Sequence, residues 1–571
     1  MSIDSSKLAL DRLYTLATEC PDVVCMTQPM GSGVIKEFTW AEVLLETRKM
    51  ANHLVSLQLP GESKVAILSK NSAYWLMADW AIWMAGLISV PLYPTQSSSS
   101  LYEILEHSDT ALLFIGKLDH WETLKEGIPQ TLACIDLPLA PTTEHINWDA
   151  ITAFTPPLDI KPNRGGDEIC TIIYTSGTTG TPKGVMHSFN TFAFAVSQGL
   201  KRFPLNSSDR MLSYLPLSHI AERVLVEHVM LYTGMHIFFA ESIDTFLEDL
   251  QRARPTFFFS VPRLWTKFKE SIHTKIPERK LRLFLSVPIL KTILQRKIIK
   301  ALGLNYCRIA ASGAAPMPHN LLTWYKRLGI NIVELYGMTE NCGLSHATNC
   351  EENAPGTVGK PYNGVLSRID PSNSEIQMKS QSLMLGYYKD KENTTTAFTK
   401  DGWLHTGDQG RLDEQANLLL TGRLKDLFKT SKGKYVVPAP IEDQLTLING
   451  VEACCVVGAN LPSPIAILML SEDAILKSTQ PQERIKIEEH THSKLNEINS
   501  RLDVHDRLSC VILLPHAWTI EDGFLTPTLK VKRNHIDTVY RDLYEEWYAQ
   551  GKSIIWHDSV SSNPTINTQV S

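Results

Sequence analysis

Between Tyr174 and Gly184 the chain reads Tyr-Thr-Ser-Gly-Thr-Thr-Gly-Thr-Pro-Lys-Gly. The glycines let backbone N–H groups come close to an anion, and the Ser and Thr hydroxyls add donors. Lys183 supplies a point charge. This is the chemistry of a loop that grips a polyphosphate. It is not a Walker A loop, because no G-x-x-x-x-G-K-[ST] can be laid over it. A Gly/Ser/Thr turn alone is usually no more than a surface turn. The Pro-Lys-Gly ending and the apolar run in front favour phosphate.

Three further stretches carry usable chemistry. In Glu334-Leu335-Tyr336-Gly337-Met338-Thr339-Glu340, the Tyr336 ring can stack on a base, Thr339 can donate to a phosphate and Glu340 can hold a hard cation. Ile309 to Pro316 ends in small residues, among them Gly313 and Ala314, which leave room for a flat ring or an alkyl chain. Asp408 sits between Gly407 and Gly410, where Asp is common for turn geometry alone, yet a carboxylate is also the usual clamp for two ribose hydroxyls.

The elements that position these residues alternate between strand and helix patterns. Ile169 to Tyr174 is β-branched and apolar and reads as a buried strand; from Val185 the chain turns helix-like. Trp40 to Leu57 has helical spacing, and Lys64 to Leu68 reads as a strand. Asn71 is the expected cap of the apolar helix that follows. Ala73 to Leu92 is the most apolar stretch. Asp79 near its middle and Val90-Pro91 at its end favour a buried helix plus a strand over a membrane span. This alternation argues a parallel, two-faced sheet, hence an α/β fold. From Pro355 the chain becomes β-rich. After Lys425 comes a smaller α/β module, with strands near 452–458 and 465–470 and a charged helix near 483–502.

The 571 residues suffice for more than one domain. A net charge of −6 leaves no footprint of nucleic-acid binding. Ten scattered cysteines, with no C-x-x-C, suggest reduced thiols, and the N-terminus lacks the apolar run of a signal peptide. Residues 263–302 hold eleven Lys/Arg against only Glu270 and Glu278, interleaved with Leu, Phe and Ile. Such a run is usually a solvated helix face; it also suits an anionic membrane surface.

The motif Y-T-S-G-T-T-G-x-P-K-G-V resembles the phosphate loop of the adenylate-forming superfamily, which includes acyl-CoA synthetases, luciferases and peptide-synthetase adenylation domains. Tyr-Gly-x-Thr-Glu at 336–340, Gly-Trp-Leu-His-Thr-Gly-Asp at 402–408 and Gly-Arg-Leu-Lys-Asp at 422–426 follow in the family's order. Leu-Pro-Leu-Ser-His-Ile-Ala-Glu-Arg at 215–223 and Leu-Thr-Pro-Thr-Leu-Lys at 525–530 look like the long-chain fatty acyl-CoA synthetase branch. The last string lacks the Gly-Lys pair of other branches, and Lys530 is its best alignment to the catalytic lysine.

The resemblance implies a role for each matching residue. Thr175, Ser176, Gly177, Thr178, Thr179, Gly180 and Lys183 would hold the phosphates of ATP. Gly313, Ala314, Glu334, Leu335 and Tyr336 would receive the nucleotide, and Asp408 and Arg423 its ribose and phosphate. Thr175 and Glu340 would meet Mg²⁺, Thr339 the α-phosphate, and His219 the substrate site. Lys530 would be catalytic and Lys425 a hinge. The implied fold is α/β: a large N-terminal αβ-layered domain with a β-subdomain over 1–424, a mobile C-terminal domain over 425–558 and a disordered tail over 559–571.

The implied reaction is ATP-dependent activation of a long-chain fatty acid to acyl-AMP, then transfer to CoA. The open alternatives are an acyl-AMP ligase or acyl-carrier-protein synthetase and, from another class, a non-catalytic fatty-acid binding or uptake protein. The expected partners are fatty acid, ATP and CoA, with no nucleic acid. A homodimer and peripheral membrane contact through 263–302 are kept open, in a cytoplasmic setting at the inner membrane face.

Overall fold

Short β-branched runs separated by amphipathic helices assemble into layered sheets. The computed structural model describes residues 8–176, 182–349, 354, 356–527 and 529–558, with Ser176 described by its backbone alone. The expected tail over 559–571 lies outside the described residues. Contacts divide the chain into two compact units. The first is Met1–Asp370, Ile376–Thr406 and Arg411–Leu419; the second is Pro371–Glu375, Gly407–Gly410 and Leu420–Ser571.

In the first unit, helix α1 (Trp40–Ser56) opens with a capping box between Thr39 and Glu42. Strand β1 (Lys64–Leu68) follows, then helix α2 (Ala73–Met84), in which every residue is buried. Strands β2 (Ile88–Leu92) and β3 (Thr110–Ile115) flank β1 in parallel. Strand β4 (Ile169–Ser176) runs parallel to β2, and β5 (Pro182–Ser188) returns antiparallel to β4. These strands belong to an eight-stranded sheet. Among the described residues no helix is long and apolar enough to cross a membrane.

Two local expectations are corrected. The chain beyond the phosphate-type loop does not turn helical at Val185. It pairs with β4 through Ser188, and helix α3 (Phe189–Arg202) begins only then, capped by the Ser188 hydroxyl. Cross-strand pairing satisfies backbone groups that a helix would otherwise pair internally. The cap of α2 is Ser72, not Asn71, because the Asn71 amide is engaged elsewhere, as described below.

A second sheet contains parallel strands β6 (Phe257–Ser260), β7 (Ile309–Gly313) and β8 (Ile332–Tyr336). Between β6 and β7 lies the basic excursion, as helices α4 (Pro262–Lys275), α5 (Glu278–Ser286) and α6 (Pro288–Ala301). Its inward residues, including Trp265, Leu281 and Ile298, join the core that covers this sheet. Strand β9 (Gly386–Tyr387) pairs antiparallel with β5.

The second unit holds helix α7 (Pro438–Leu445), strands β10 (Val451–Val457) and β11 (Ile465–Leu470), helix α8 (Pro481–Asn499), strand β12 (Val511–Leu514), helix α9 (Arg533–Tyr540) and strand β13 (Ile554–Trp556). β10 is antiparallel to β11, and β11, β12 and β13 are parallel. The sheet is packed on both faces by separate apolar clusters, which is why its strands read as continuous apolar runs. The nine cysteines described are all free thiols.

Candidate active site

The glycine-rich stretch lies in the chain between β4 and β5, where Thr175 is the cross-strand partner of Lys183 and Ser176 of Pro182. Gly177, Thr178, Thr179 and Gly180 lie outside the described residues. The Lys183 ammonium donates to Asn393 Oδ1 at 2.7 Å and stands 5.1 Å from the centre of the Tyr387 ring. Tyr387 in turn donates its hydroxyl to Glu340 Oε1 at 2.9 Å. Burial, with the adjacent Glu340 charge, raises the Tyr387 pKa, so the phenol stays a donor. Asp390 holds Asn393 by accepting its backbone N–H at 3.0 Å and its amide at 2.7 Å.

Tyr387 therefore links the loop's lysine to the carboxylate, and sequence reading had not singled out either Tyr387 or Asn393. The only local signal was an aromatic after Gly386. Tyr387→Phe removes the bond that orients Glu340. A hydrogen bond to a charged group is worth about 1.5–3 kcal/mol, so turnover is expected to fall at least about tenfold, with a higher Mg²⁺ requirement. A Mg²⁺ titration of AMP release checks this; an unchanged Mg²⁺ dependence would sink the orienting role.

The small-residue string and the Tyr-Gly-x-Thr-Glu string meet at the C-terminal ends of β7 and β8, where ligands of parallel sheets commonly bind. Ser312 pairs with Glu334 and Gly313 with Leu335. A methyl at Gly313 would lie 2.9 Å from the Leu335 carbonyl oxygen. Ala314 turns the chain away with φ 66°, a left-handed geometry. Glu334 Oε1 accepts the Met317 N–H at 3.3 Å. Tyr336 is buried, its ring 6.1 Å from that of His346. Gly337 is required sterically, since a methyl there would fall 2.3 Å from the Gly343 backbone.

The next residue in the reading, Thr339, is anchored through its carbonyl, which lies 2.7 Å from His187 Nε2 on β5. Burial lowers the His187 pKa to about 4, so the ring is neutral near pH 7. Its Nε2–H donates to Thr339, which leaves Nδ1 unprotonated, 3.2 Å from a Thr191 hydroxyl that donates to the Ser188 carbonyl at 2.8 Å.

His219 caps a short helix, its Nδ1 accepting the Ala221 N–H at 3.2 Å, which puts the proton of the neutral ring on Nε2. The loop before it is pinned by Asn71, whose amide donates to Ser213 Oγ at 2.7 Å and to the Leu215 carbonyl at 2.6 Å. Asn71 Oδ1 accepts the Leu217 N–H at 3.1 Å. Glu222 completes the cluster by accepting from Ser213 Oγ at 2.9 Å and from the Tyr214 N–H at 3.1 Å. Burial pushes its carboxyl up to about 8 against these donors.

In the second unit, Arg423 Nε lies 3.0 Å from Asp408 Oδ1. Asp408 lies within a strand, Leu404–Leu412, and not in the turn its glycine neighbours suggest; Gly407 in that strand has φ 69°, and its N–H donates to Glu375 Oε1 at 2.9 Å. Lys530 follows a tight loop in which the Thr526 N–H donates to the Lys530 carbonyl at 2.8 Å and the Lys530 N–H to Thr526 Oγ1 at 3.0 Å. As a residue Lys530 is exposed. Desolvation of its ammonium end, reinforced by Arg423 and opposed by Asp408, lowers its pKa to about 8. Three residues on, Arg533 donates to Glu442 Oε1 and to the Val456 carbonyl, each at 2.6 Å, and its Nε lies 3.9 Å from Asp426 Oδ1. Lys425, beside Asp426, is exposed in a single 3₁₀ turn.

The candidate residues thus form two groups. Lys183, Glu340 and the strand ends of β7 and β8 lie in the first unit; Asp408, Arg423 and Lys530 lie in the second. Oxygen donors such as those of Thr175 and Glu340 are the hard ligands a Mg²⁺ ion prefers, and Glu340 is held at Oε1 by the Tyr387 hydroxyl.

Residues 14–388 match the AMP-binding enzyme family, and residues 425–552 match the AMP-binding enzyme C-terminal domain. The chain is 28% identical over 562 residues to the long-chain-fatty-acid–CoA ligase FadD15 of Mycobacterium tuberculosis, covering 90% of this chain and 92% of that protein. It is 28% identical to fatty acyl-CoA synthetase B of Dictyostelium discoideum, covering 91% of this chain and 87% of that one. Its fold matches the A domain of the carboxylic acid reductase of Segniliparus rugosus, solved with AMP and a co-purified carboxylic acid. That match has a TM-score of 0.79 at 21% identity, covering 95% and 94% of the two chains.

Proposed function

Because the chain belongs to the AMP-binding enzyme family, we propose that it is a long-chain fatty acid–CoA ligase. It activates a fatty acid with ATP as an acyl-adenylate and passes the acyl group to CoA, giving acyl-CoA, AMP and pyrophosphate. The observation that carries this reading is similarity over about nine-tenths of the chain to proteins named for that reaction.

A carboxylate is a poor acyl donor because its leaving group would be an oxide. Attack of the carboxylate on the α-phosphate of ATP expels pyrophosphate, and AMP is then a good leaving group for the thiol of CoA. Two anions must meet, so cationic charge is needed where negative charge develops. In this reading Lys530 bridges the carboxylate and the α-phosphate, Lys183 and the stretch between β4 and β5 hold the outer phosphates, and Thr339 donates to the α-phosphate. Asp408 and Arg423 hold the ribose, with the strand ends at Gly313, Ala314 and Glu334 to Tyr336 around the base. Mg²⁺, held by Glu340 and Thr175, would supply neutralising charge for the triphosphate. His219 lines the substrate site, and Lys425 is the proposed pivot that exchanges the two half-reactions.

The test is AMP release from Mg-ATP with acids from acetate to oleate, each with and without CoA. CoA-dependent turnover peaking at long chains is expected. Acyl-AMP that accumulates without response to CoA would instead point to a carrier protein as acceptor, and no adenylation of any acid to a binding protein.

A further inference from the structure

The corner formed by α5 and α6 is the most exposed apolar surface of the basic excursion. Leu283, Phe284, Val287, Ile289, Leu290 and Ile293 fall within eleven residues and all face solvent, with Ile289 at 75% exposure, Leu283 at 64% and Ile293 at 60%. The same helices bury Leu281 and Ile298 in the core, so the outward residues are a second face rather than a loosely packed first one. The same two helices expose basic residues, among them Arg279, Lys280 and Arg282 on α5 and Lys291, Arg296 and Lys297 on α6. Nearby Glu278 pairs with Arg282 at 3.1 Å and offsets that one charge, which leaves the others uncompensated by it. Pro288 opens α6 directly after the end of α5, so the exposed apolar residues of both helices lie on either side of one short junction.

We propose that this corner is a docking surface for an anionic phospholipid bilayer, with Leu283, Ile289 and Ile293 entering the acyl boundary and the Lys and Arg of the same helices on the headgroups. Charge selects this occupant. Clustered apolar tips on helices that also expose basic residues match a negatively charged interface. A twofold contact between copies of this chain would set basic residues against basic residues, because such an interface places the same patch on both sides. Among the described residues no helix is long and apolar enough to span, and the proposed contact is an interfacial one. The proposal rests on this surface alone; its failure would leave the acyl-CoA reading standing.

The test is sedimentation of the full chain with phosphatidylcholine vesicles and with vesicles of phosphatidylcholine mixed with phosphatidylglycerol. Binding to the mixed vesicles is expected to exceed binding to phosphatidylcholine by about tenfold or more and to weaken with added salt. The double variant Ile289→Asp/Ile293→Asp is expected to lose about tenfold or more of that binding, with adenylation and the thermal midpoint unchanged. Arg279→Gln/Lys297→Gln is expected to lose the preference for the anionic lipid. Equal sedimentation with both vesicles, or Asp variants that bind like the parent, would overturn the proposal. So would light scattering showing a parent dimer that the Asp variant splits, with no vesicle binding.

Discussion

Replacing Lys530 with alanine is expected to slow fatty-acid adenylation about 10²–10³-fold, the usual cost of removing one preorganised donor from developing charge. Thioester formation from supplied acyl-AMP should be spared, because that half-reaction begins after the carboxylate and α-phosphate have been joined. Lys530 is exposed as a residue, and the loop is held by backbone and Thr526 contacts rather than by its ammonium, so the fold should be retained. AMP release and acyl-AMP consumption measured separately decide the matter; an alanine variant that adenylates at the parent rate refutes the assignment.

The pKa adds a second readout. Lys530 is lowered from 10.5 to about 8, so it is a cation below that value and loses its charge as the pH rises through it. Adenylation should therefore fall above about pH 8. Unfolding driven by this group cannot mimic that fall. Between about 8 and 10.5 the unfolded chain binds more protons at this lysine than the folded one, so its linkage raises stability as the pH rises. In a Lys530→Arg variant that retains activity, the alkaline fall near pH 8 should disappear, because a guanidinium stays protonated there.

The second large effect is on stability. Arg223, Asp79 and Glu227 have no exposed side-chain surface, and the guanidinium lies 2.8 Å from each carboxylate. Trp75 and Trp83 stand 5.1 and 5.7 Å from it. Arg223→Met leaves two buried carboxylates without their cation and is expected to cost about 3–5 kcal/mol, read as a lower urea or thermal midpoint. Adding Asp79→Asn and Glu227→Gln to that variant should restore most of the loss, because the penalty comes from uncompensated charge rather than from lost packing. Equal losses in the single and triple variants would refute this account.

Burial already raises Glu227 above the carboxylate range, with Arg223 opposing. Without Arg223 the folded pKa rises further, so the deficit should be least at acid pH and grow only once the pH passes the already raised pKa of Glu227 in the parent. Arg223 opens a turn of π-helix that ends at His228, whose ring stacks 4.0 Å from Phe192 on α3. Phe192 also meets His187, the residue that holds Thr339, so this variant should loosen the Thr339 anchor as well.

What the sequence determined by itself is what depends on neighbours along the chain. The β-branched run before Thr175, the glycines and hydroxyls after it, Tyr336 to Glu340, the string that ends in Asp408 and the string that ends in Lys530 each suggest a chemistry within a dozen residues, though Asp408 sits in a strand where its glycine neighbours suggest a turn. Backbone freedom, side-chain donors and strand pattern are local properties. The local reading erred where two local signals competed. Val185 to Ser188 became a strand because β4 was available to pair with it, and Ser72 capped α2 because Asn71 was drawn to the loop at 213–217.

Only the tertiary structure decided which distant groups complete each candidate site. Asn393 meets Lys183 from 210 positions away, and Tyr387 reaches Glu340 across 47. Arg423 and Asp408 come to share the field of Lys530, and Arg223 finds Asp79, the one acid in an otherwise apolar helix. No composition or spacing encodes these meetings. They follow from sheet order and register: a strand's partner is chosen by the burial of whole faces, and a slip of one residue would turn every side chain on it to the other side.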